Sequence, residues 1–283
     1  MSLVERPAVR RRTVRARITA VDDGRAVERH DRIVGEEPLE IRAAGPGQEA
    51  VRVAVTMRTP GNDYELAAGF LFTEGLLTSR DEISSIRYCG LDEAAEQRFN
   101  VVTVQLRSPF DPSVFQRNFY ATSSCGICGK AAIDQVEVLC EPIPPGPSVA
   151  AGVIEGLPAT LRSAQAVFDE TGGLHATGLF DIEGALLAAR EDIGRHNAMD
   201  KLVGMALLAG EIPARDRIAL VSGRASFELV QKAAVAGIPI VCAVSAPSTL
   251  AVETAERLGV TLAAFVRDGR FNLYAHPERI AFA

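Results

Sequence analysis

The chain contains no tryptophan, and aromatic residues make up only 6% of its 283 residues. Proteins that bind single-stranded nucleic acid stack bases on aromatic side chains and present a basic surface to the phosphates. This composition has neither feature, because the formal net charge is −6 and the sequence pI is near 5.4. We therefore expect no nucleic-acid partner, and an anionic ligand must be bound by local arginines.

Long apolar runs are also absent from the sequence. No stretch reaches the roughly eighteen uncharged apolar residues that a membrane-spanning helix requires. Three arginines at positions 10–12 begin like a twin-arginine export signal, but Arg15 and Arg17 interrupt the apolar core that such a signal needs. The sequence predicts a cytoplasmic protein without membrane association.

Cysteine is scarce, and the chain has five: Cys89, Cys125, Cys128, Cys140 and Cys242. An odd, scattered set is not typical of a secreted disulfide framework, which favours a reducing compartment. Structural zinc needs four ligands, whereas the chain offers one Cys-x-x-Cys pair and four histidines spread along its length. We expect no catalytic zinc.

Composition and pattern divide the chain into four segments. Residues 1–30 are basic and are predicted to be a disordered arm. Residues 31–141 are predicted to form a β-rich α/β region that ends in the cysteine pair and a following helix. Residues 142–149 are rich in proline, which cannot continue a helix, and form a connection to an α/β domain over residues 150–283.

The spacing of apolar residues predicts helices and strands in both regions. In the first region, Asn62 or Asp63 can cap a helix that Gly75 ends. The other elements predicted there are strands over 50–56, 98–106 and 115–120 and a helix over 131–139. In the second region, helices are predicted over 157–168, 197–208, 227–236 and 250–258, and strands over 176–181, 186–190, 217–221, 239–243 and 261–266. This alternation predicts a layered α/β domain with parallel strands.

The cysteine pair lies between glycines, just after a predicted strand and before a predicted helix. Such a pair can be a dithiol redox couple, half of a zinc site, a nucleophile with a neighbour, or two buried small residues. Sulfur transfer would need an accessible thiolate. Gly126 and Gly129 would let a loop stand clear of the surface, and Lys130 with the helix dipole would favour the thiolate of Cys125 or Cys128.

Two segments of the second region could bind an anion. Ser222, Gly223 and Arg224 follow a predicted strand and open a helix, which points backbone N–H groups at a phosphate. A plain serine cap with a tight turn explains the same pattern. Arg195 and His196 begin another predicted helix and are candidate ligand contacts, although a histidine at a helix start is often only structural.

A third candidate segment is a predicted hairpin. Asp268 and Gly269 are a strong signal for a two-residue turn, and Arg267 and Arg270 flank it. Two arginines held by a rigid turn could bind a pyrophosphate, but a solvated hairpin has the same sequence. The whole candidate segment is Phe265, Val266, Arg267, Asp268, Gly269 and Arg270.

Taken together, these motifs resemble the formate dehydrogenase accessory sulfurtransferases of the FdhD family. The resemblance covers several blocks, namely residues 58–71, 123–129, 172–176, 192–201, 222–224 and 265–279. It implies a cytidine-deaminase-like three-layer α/β sandwich with a mixed sheet, plus a smaller β-rich N-terminal region. It also implies a homodimer.

The resemblance further implies a sulfur carrier for formate dehydrogenase. On this interpretation Cys125 accepts sulfur from a cysteine desulfurase as a persulfide, and Cys128 assists or relays it. The acceptor is the molybdenum bis(molybdopterin guanine dinucleotide) cofactor of formate dehydrogenase, whose guanine nucleotide would bind at the segment from Phe265 to Arg270.

Two rival functions can be compared with the motifs. Zinc-dependent deamination needs a His-x-Glu motif and a Pro-Cys-x-x-Cys pair. Here Thr177 stands where the glutamate after His175 should be, and Ser124 stands where the proline should precede Cys125, which argues against deamination. The second rival is a cofactor chaperone that needs the arginine hairpin but not Cys125, and the sequence leaves it open.

Overall fold

A computed structural model describes residues 12–88, 99–111 and 140–282 of the chain. The strands are β1 (Thr13–Asp22), β2 (Arg25–Val34), β3 (Glu37–Ala44), β4 (Val51–Arg58), β5 (Ile83–Tyr88), β6 (Val101–Leu106), β7 (Val149–Ala150), β8 (His175–Phe180), β9 (Leu186–Asp192), β10 (Ile218–Val221), β11 (Ile240–Ala243), β12 (Thr261–Arg267), β13 (Arg270–Ala275) and β14 (Ile280–Ala281). The helices are α1 (Asp63–Thr73), α2 (Ala151–Ser163), α3 (Ala166–Thr171), α4 (Arg195–Ala209), α5 (Phe227–Val235) and α6 (Thr249–Leu258), with single 3₁₀ turns at Arg80–Glu82 and Pro277–Arg279.

The C-terminal part of the chain is built on a six-stranded sheet of order β13-β12-β11-β10-β8-β9. Strands β10, β11 and β12 are parallel, whereas β8, β9 and β13 pair antiparallel with their neighbours. The central strands β10 and β11 are buried along their whole length, because α2 packs on one face of the sheet and α4 to α6 pack on the other. The predicted mixed sheet and α/β class are confirmed, while the likeness to cytidine deaminases stays a prediction.

A second sheet, of order β4-β3-β6-β5, forms the β-rich N-terminal region. Its buried face packs on α1, which in turn packs on α4 of the C-terminal part. Helix α1 is buried almost all round, as a helix between two layers must be. The two regions therefore share one continuous hydrophobic core.

The contact between α1 and α4 depends on two glycines. A Cβ atom added to Gly69 would lie 1.8 Å from the carbonyl oxygen of Asp200, and one added to Gly204 would lie 1.8 Å from the carbonyl oxygen of Glu65. Real non-bonded contacts of this kind are longer than 3 Å. The two helix backbones thus touch at a point where no larger residue fits.

Two buried ion pairs lie beside the boundary between the regions, and a hydrogen bond from one of them crosses it. Lys201 of α4 is fully buried, and its Nζ lies 2.7 Å from Asp192 Oδ2 and donates a 2.9 Å hydrogen bond to the carbonyl oxygen of Thr59. Arg58 makes a two-pronged pair with Asp63, with N···O distances of 2.9 and 2.8 Å. Because breaking a buried pair leaves a charge without solvation, these contacts fix the relative position of the segments they connect.

The predicted cap of α1 is only partly correct. Asn62 occupies the N-cap position in a left-handed conformation, with φ 58°, but its side chain makes no capping hydrogen bond. The Asp63 carboxylate is directed to Arg58 and also accepts a hydrogen bond from the backbone N–H of Gly61. The carboxylate therefore neutralises a buried arginine instead of capping the helix.

Residues 13–30 contradict the disordered arm predicted over 1–30, because with residues 31–34 they form an antiparallel hairpin of β1 and β2 in unbroken register. The hairpin turn is Asp23 and Gly24, with φ 45° and 75°, the left-handed pair that a two-residue turn requires. Most of its side chains are exposed, as the basic composition predicted. We refer to this hairpin, residues 13–34, as the ribbon.

Other differences are small. The single helix predicted over 157–168 is two helices, α2 and α3, and α2 begins at Ala151 without a capping side chain and accommodates Pro158 in its interior. The connection at 142–149 has no helix, and the backbone N–H of Ile143 donates to the carbonyl oxygen of Leu258. The predicted strand over 115–120 and the predicted helix over 131–139 lie outside the described residues. Among the described helices, none is long and apolar enough to span a membrane.

Candidate functional site

The carboxyl ends of β10, β11 and β12 form one edge of the six-stranded sheet, and the loops that follow them are joined by backbone hydrogen bonds. The N–H of Ser245 donates to the carbonyl oxygen of Gly223 at 3.2 Å, and the N–H of Phe265 donates to the carbonyl oxygen of Ser245 at 3.2 Å. Open α/β sheets bind ligands at this edge, since strand ends and helix N-termini converge there. We call it the carboxyl edge.

Because β8 runs antiparallel to β10, its first residue, His175, lies at the same edge. Ser222 fixes the junction: its Oγ accepts from the N–H of Ala176 at 2.9 Å, and its own N–H donates to the carbonyl oxygen of Ala176 at 2.9 Å. A Cβ atom on Gly223 would lie 3.3 Å from Nδ1 of His175. Glycine at position 223 therefore lets the imidazole ring lie close to the loop backbone.

Helix α4 begins at this edge with Arg195 and His196. The Nε2 atom of His196 lies 2.6 Å from Oε2 of Glu228 and 3.2 Å from Oγ of Ser226, both in the segment that opens α5. The hydrogen bond from His196 holds the pKa of Glu228 below its usual value. The Nε atom of Arg195 is buried without a hydrogen-bond partner among the described residues.

The carboxyl edge is locally positive although the protein is acidic overall. Burial lowers the pKa of His175, and the nearby charges of Arg195, His196 and Arg224 lower it further. The two acids described at this edge already have partners, Asp192 with Lys201 and Glu228 with His196. An anion bound here would meet a partly desolvated positive field, which is the arrangement that favours phosphate groups.

The β12–β13 hairpin follows the same edge. Asp268 and Gly269 form its turn, with φ 55° and 67°, and Arg267 pairs across the strands with Arg270. Both arginines are exposed, and neither has an acidic partner within the part of the chain that the structure describes. The guanidinium of Arg267 lies 5.7 Å from the centre of the Phe265 ring.

The hairpin borders a groove of about 270 Å³, lined by Phe265, Arg267, Arg270, Phe271 and Asn272. Phe265 has φ 54°, and the pairing of β12 with β13 is irregular between residues 264 and 267. Val266, by contrast, is fully buried in the core on the α2 side of the sheet. Its side chain packs in the core on the α2 side of the sheet and does not face the groove.

The structure thus brings most of the predicted cofactor-binding residues to one edge of the sheet. Ser222, Gly223, Arg224, Arg195 and His196 surround the start of β8, and Phe265 is connected to them through Ser245. His175 was not among the predicted site residues. Its signal was a histidine directly after Gly172, Gly173 and Leu174, one of the blocks that carried the family resemblance.

The predicted sulfur site, Cys125 and Cys128, lies outside the described residues. Among the described cysteines, Cys242 is fully buried in β11, and burial raises the pKa of its thiol to about 12. Burial, with a contribution from the charge of Glu141, also raises the pKa of Cys140. Neither thiol is a ready thiolate near neutral pH.

The model of the FdhD/NarQ family matches residues 34–281. The chain belongs to the FdhD/NarQ family. A relative from Mycolicibacterium paratuberculosis, named sulfur carrier protein FdhD, is 50% identical over 95% of this chain and 98% of its own length. A relative of the same name from Thermoplasma acidophilum is 46% identical over 90% of this chain and 88% of its own length.

A solved structure agrees with the fold. The crystal structure of a proposed formate dehydrogenase accessory protein from Desulfotalea psychrophila superposes with a TM-score of 0.72, covering 95% of this chain and 99% of that one. Because the two sequences are 23% identical, this similarity supports the fold alone. The family model begins at residue 34, the last residue of the ribbon, so the rest of the ribbon precedes the segment that it matches.

Proposed function

We propose that this protein is a sulfur carrier that serves formate dehydrogenase. The observation that carries the proposal is the similarity, over nearly the whole chain, to family members named sulfur carrier protein FdhD. The carrier thiol is Cys125, with Cys128 as its assistant. The raised pKa values of Cys140 and Cys242 support this choice, because sulfur exchange requires a thiolate.

Loading is a thiolate exchange. The Cys125 thiolate attacks the outer sulfur of a persulfide on a cysteine desulfurase, and the sulfur–sulfur bond of the donor breaks as the new one forms. The donor cysteine leaves as a thiolate, so no external oxidant is needed. In the second half-reaction the Cys128 thiolate attacks Sγ of Cys125, the persulfide bond breaks, and the outer sulfur leaves at the sulfide level to the substrate, the molybdenum bis(molybdopterin guanine dinucleotide) cofactor. The Cys125–Cys128 disulfide that remains is reduced by a dithiol reductant before the next cycle.

The carboxyl edge is the proposed binding site for the guanine dinucleotide. Arg195 and Arg224 supply positive charge, the neutral ring of His175 offers a hydrogen-bonding nitrogen, and the N-terminus of α5 adds its dipole. Arg267 and Arg270 have no competing carboxylate among the described residues, which leaves both guanidinium groups available for a pyrophosphate. The sheet holds the ligand-binding groups on rigid strand ends, as precise binding requires.

The first experiment tests the sulfur chemistry. Wild type, Cys125→Ala and Cys128→Ala are incubated with a cysteine desulfurase and cysteine, and intact masses are recorded before and after reduction. We expect wild type to gain the mass of one sulfur atom, reversed by reductant, and Cys125→Ala to gain none. Cys140→Ala is the matched control and should load like wild type, because the half-buried thiol of Cys140, with its raised pKa, is not a ready nucleophile.

The second experiment tests the nucleotide site. Binding of guanosine diphosphate is measured by calorimetry for wild type, Arg224→Ala and Arg267→Ala. Loss of a charge-assisted contact to phosphate should weaken binding roughly tenfold to a hundredfold. Arg215→Ala is the control, since Arg215 is exposed and precedes β10 at the opposite edge of the sheet.

The two measurements separate sulfur transfer from a cofactor chaperone. A wild-type protein that binds guanosine diphosphate but never gains sulfur would act as a chaperone, and Cys125→Ala should then still activate formate dehydrogenase. Sulfur loading without any nucleotide binding would instead remove the carboxyl edge from the proposal and leave the carrier chemistry intact.

A further inference from the structure

The turn between β9 and α4 carries Arg195 to the carboxyl edge, where its charge lowers the pKa of His175. Among the described residues, the guanidinium of Arg195 makes no hydrogen bond or ion pair, and its Nε atom is buried. The direction of the guanidinium therefore depends on the backbone that carries it, residues 192–194. A contact that fixes this turn also fixes the position of the charge that Arg195 presents to a ligand.

The turn is organised around the carboxylate of Asp192, which is fully buried. Its Oδ1 atom accepts hydrogen bonds from the backbone N–H of Gly194 at 2.8 Å and from the side-chain amide of Asn197 at 3.1 Å. Its Oδ2 atom lies 2.7 Å from Nζ of Lys201 and accepts from the backbone N–H of Thr59 at 3.1 Å. The carboxylate thus ties the turn to the first residues of α4 and to one residue of the N-terminal region.

That residue, Thr59, directs all three of its polar groups to the turn and to α4. Its N–H donates to Asp192, and its carbonyl oxygen accepts from Nζ of Lys201 at 2.9 Å. Its side-chain Oγ1 accepts from the backbone N–H of Ile193 at 3.3 Å. Because Thr59 is fully buried, no water can replace these bonds without opening the contact between the two regions.

The end of β4, which leads into Thr59, is itself held firmly. Arg58 is fully buried against Asp63, and its Nη2 atom donates to the carbonyl oxygen of Phe99 at 3.0 Å. The carbonyl oxygen of Met57 accepts from the side-chain amide of Asn197 at 2.8 Å. Thr59 therefore extends from a fixed strand end and transmits the position of that strand to the turn.

We propose that Thr59 is a positioning residue for ligand binding at the carboxyl edge and that it acts through the turn at 192–194 on Arg195. Thr59 cannot contact the ligand itself, because it is fully buried behind the turn. Its effect is geometric, since a charge-assisted hydrogen bond to phosphate depends on the distance and angle of the guanidinium. The inference rests on the proposed binding of the guanine dinucleotide at this edge.

The test compares affinities for guanosine diphosphate by calorimetry. Thr59→Val keeps the branched shape of the side chain but lacks the hydroxyl, so the N–H of Ile193 loses its acceptor and the turn loosens. We expect this variant to bind roughly three- to tenfold more weakly than wild type, and Thr59→Ser, which retains the hydroxyl, to bind like wild type. Thr261→Val is the matched control, because Thr261 is equally buried and its hydroxyl donates to the carbonyl oxygen of His276 at the opposite edge of the sheet.

A double-mutant cycle separates positioning from a general loss of stability. If Thr59 acts through Arg195, Thr59→Val should weaken binding less than about twofold in an Arg195→Ala background, and by its full factor in an Arg267→Ala background. An equal loss in both backgrounds, or unchanged affinity in Thr59→Val alone, would overturn the inference and leave the nucleotide site in place. A wild type that binds no guanosine diphosphate would instead remove the nucleotide site from the proposed function, and this inference with it.

Discussion

The crossing of α1 and α4 gives a prediction whose sign can be worked out from the structure. In Gly204→Ala, the new methyl group would overlap the carbonyl oxygen of Glu65, which lies 1.8 Å from the ideal Cβ position. The obstacle is backbone, so no side chain can rotate away, and the helices must separate across a shared core. Overpacking of this kind costs about 1–3 kcal/mol, whereas alanine gains up to about 1 kcal/mol over glycine in helix propensity.

A 1.8 Å approach to a backbone oxygen belongs at the upper end of that range, about 3 kcal/mol, so after the propensity gain we expect Gly204→Ala to lower the free energy of unfolding by about 2 kcal/mol. Gly156→Ala is the matched control, because Gly156 is an exposed residue of α2 and no atom lies within 4 Å of its ideal Cβ position. It should raise stability by roughly 0.5–1 kcal/mol. Urea unfolding followed by circular dichroism measures both, with unchanged slopes as the check that the denatured states match. Equal stability of the two variants would refute the proposed backbone contact.

Four further predictions concern a buried ion pair, two histidines and a buried thiol. Lys201→Met should lose about 3–5 kcal/mol in urea unfolding because Asp192 is left buried and unpaired, and Lys201→Met/Asp192→Asn should recover part of that loss. His175 should titrate below 6.5 by NMR, because burial and nearby arginines favour its neutral form, so its contribution to stability falls as pH drops from 6.5 through its folded pKa. His276 should titrate above 6.5, because hydrogen bonds to acceptors outweigh its burial, and its contribution falls as pH rises through its folded pKa. Cys242 should resist alkylation until the protein unfolds, and rapid labelling of the folded protein would contradict its burial.

The order of helices and strands in the C-terminal part was predictable from sequence, because each element has a clear apolar periodicity and is bounded by turn residues or glycine. Strands β10 and β11 are short apolar runs between turns, and α4 ends at Gly210 in the left-handed conformation that glycine favours. Helix α2 was predicted six residues short because Ala150 supplies no capping side chain, so nothing in the sequence marks its start.

The ribbon was missed for a different reason. Its turn signal at Asp23 and Gly24 and the apolar alternation from Val14 to Ala20 were both present, but the basic composition favoured disorder. Composition describes the average of a segment, whereas strand pairing depends on alternate positions. In β1 the apolar residues from Val14 to Ala20 alternate with Arg15, Arg17 and Thr19, so this strand satisfies both descriptions.

The candidate site was predictable as separate motifs but not as an arrangement. Ser222 to Arg224 and the turn at Asp268 carry local signals, whereas the approach of His175 depends on the antiparallel pairing of β8 with β10. The neutralisation of Asp192 by Lys201 requires a tertiary contact that no spacing rule contains. The individual motifs were therefore predictable from sequence, whereas their arrangement in one site depends on the order of the strands in the sheet.

The shared core has a consequence for synthesis on the ribosome. Helix α1 is apolar almost all round, yet its main packing partner, α4, is encoded well over a hundred residues later. At about 5–20 residues per second, the ribosome completes α4 on the order of ten seconds or more after it has completed α1. During that interval the nascent N-terminal half exposes an apolar helix that only the second half can cover, so it should aggregate when expressed alone and depend on chaperones during translation.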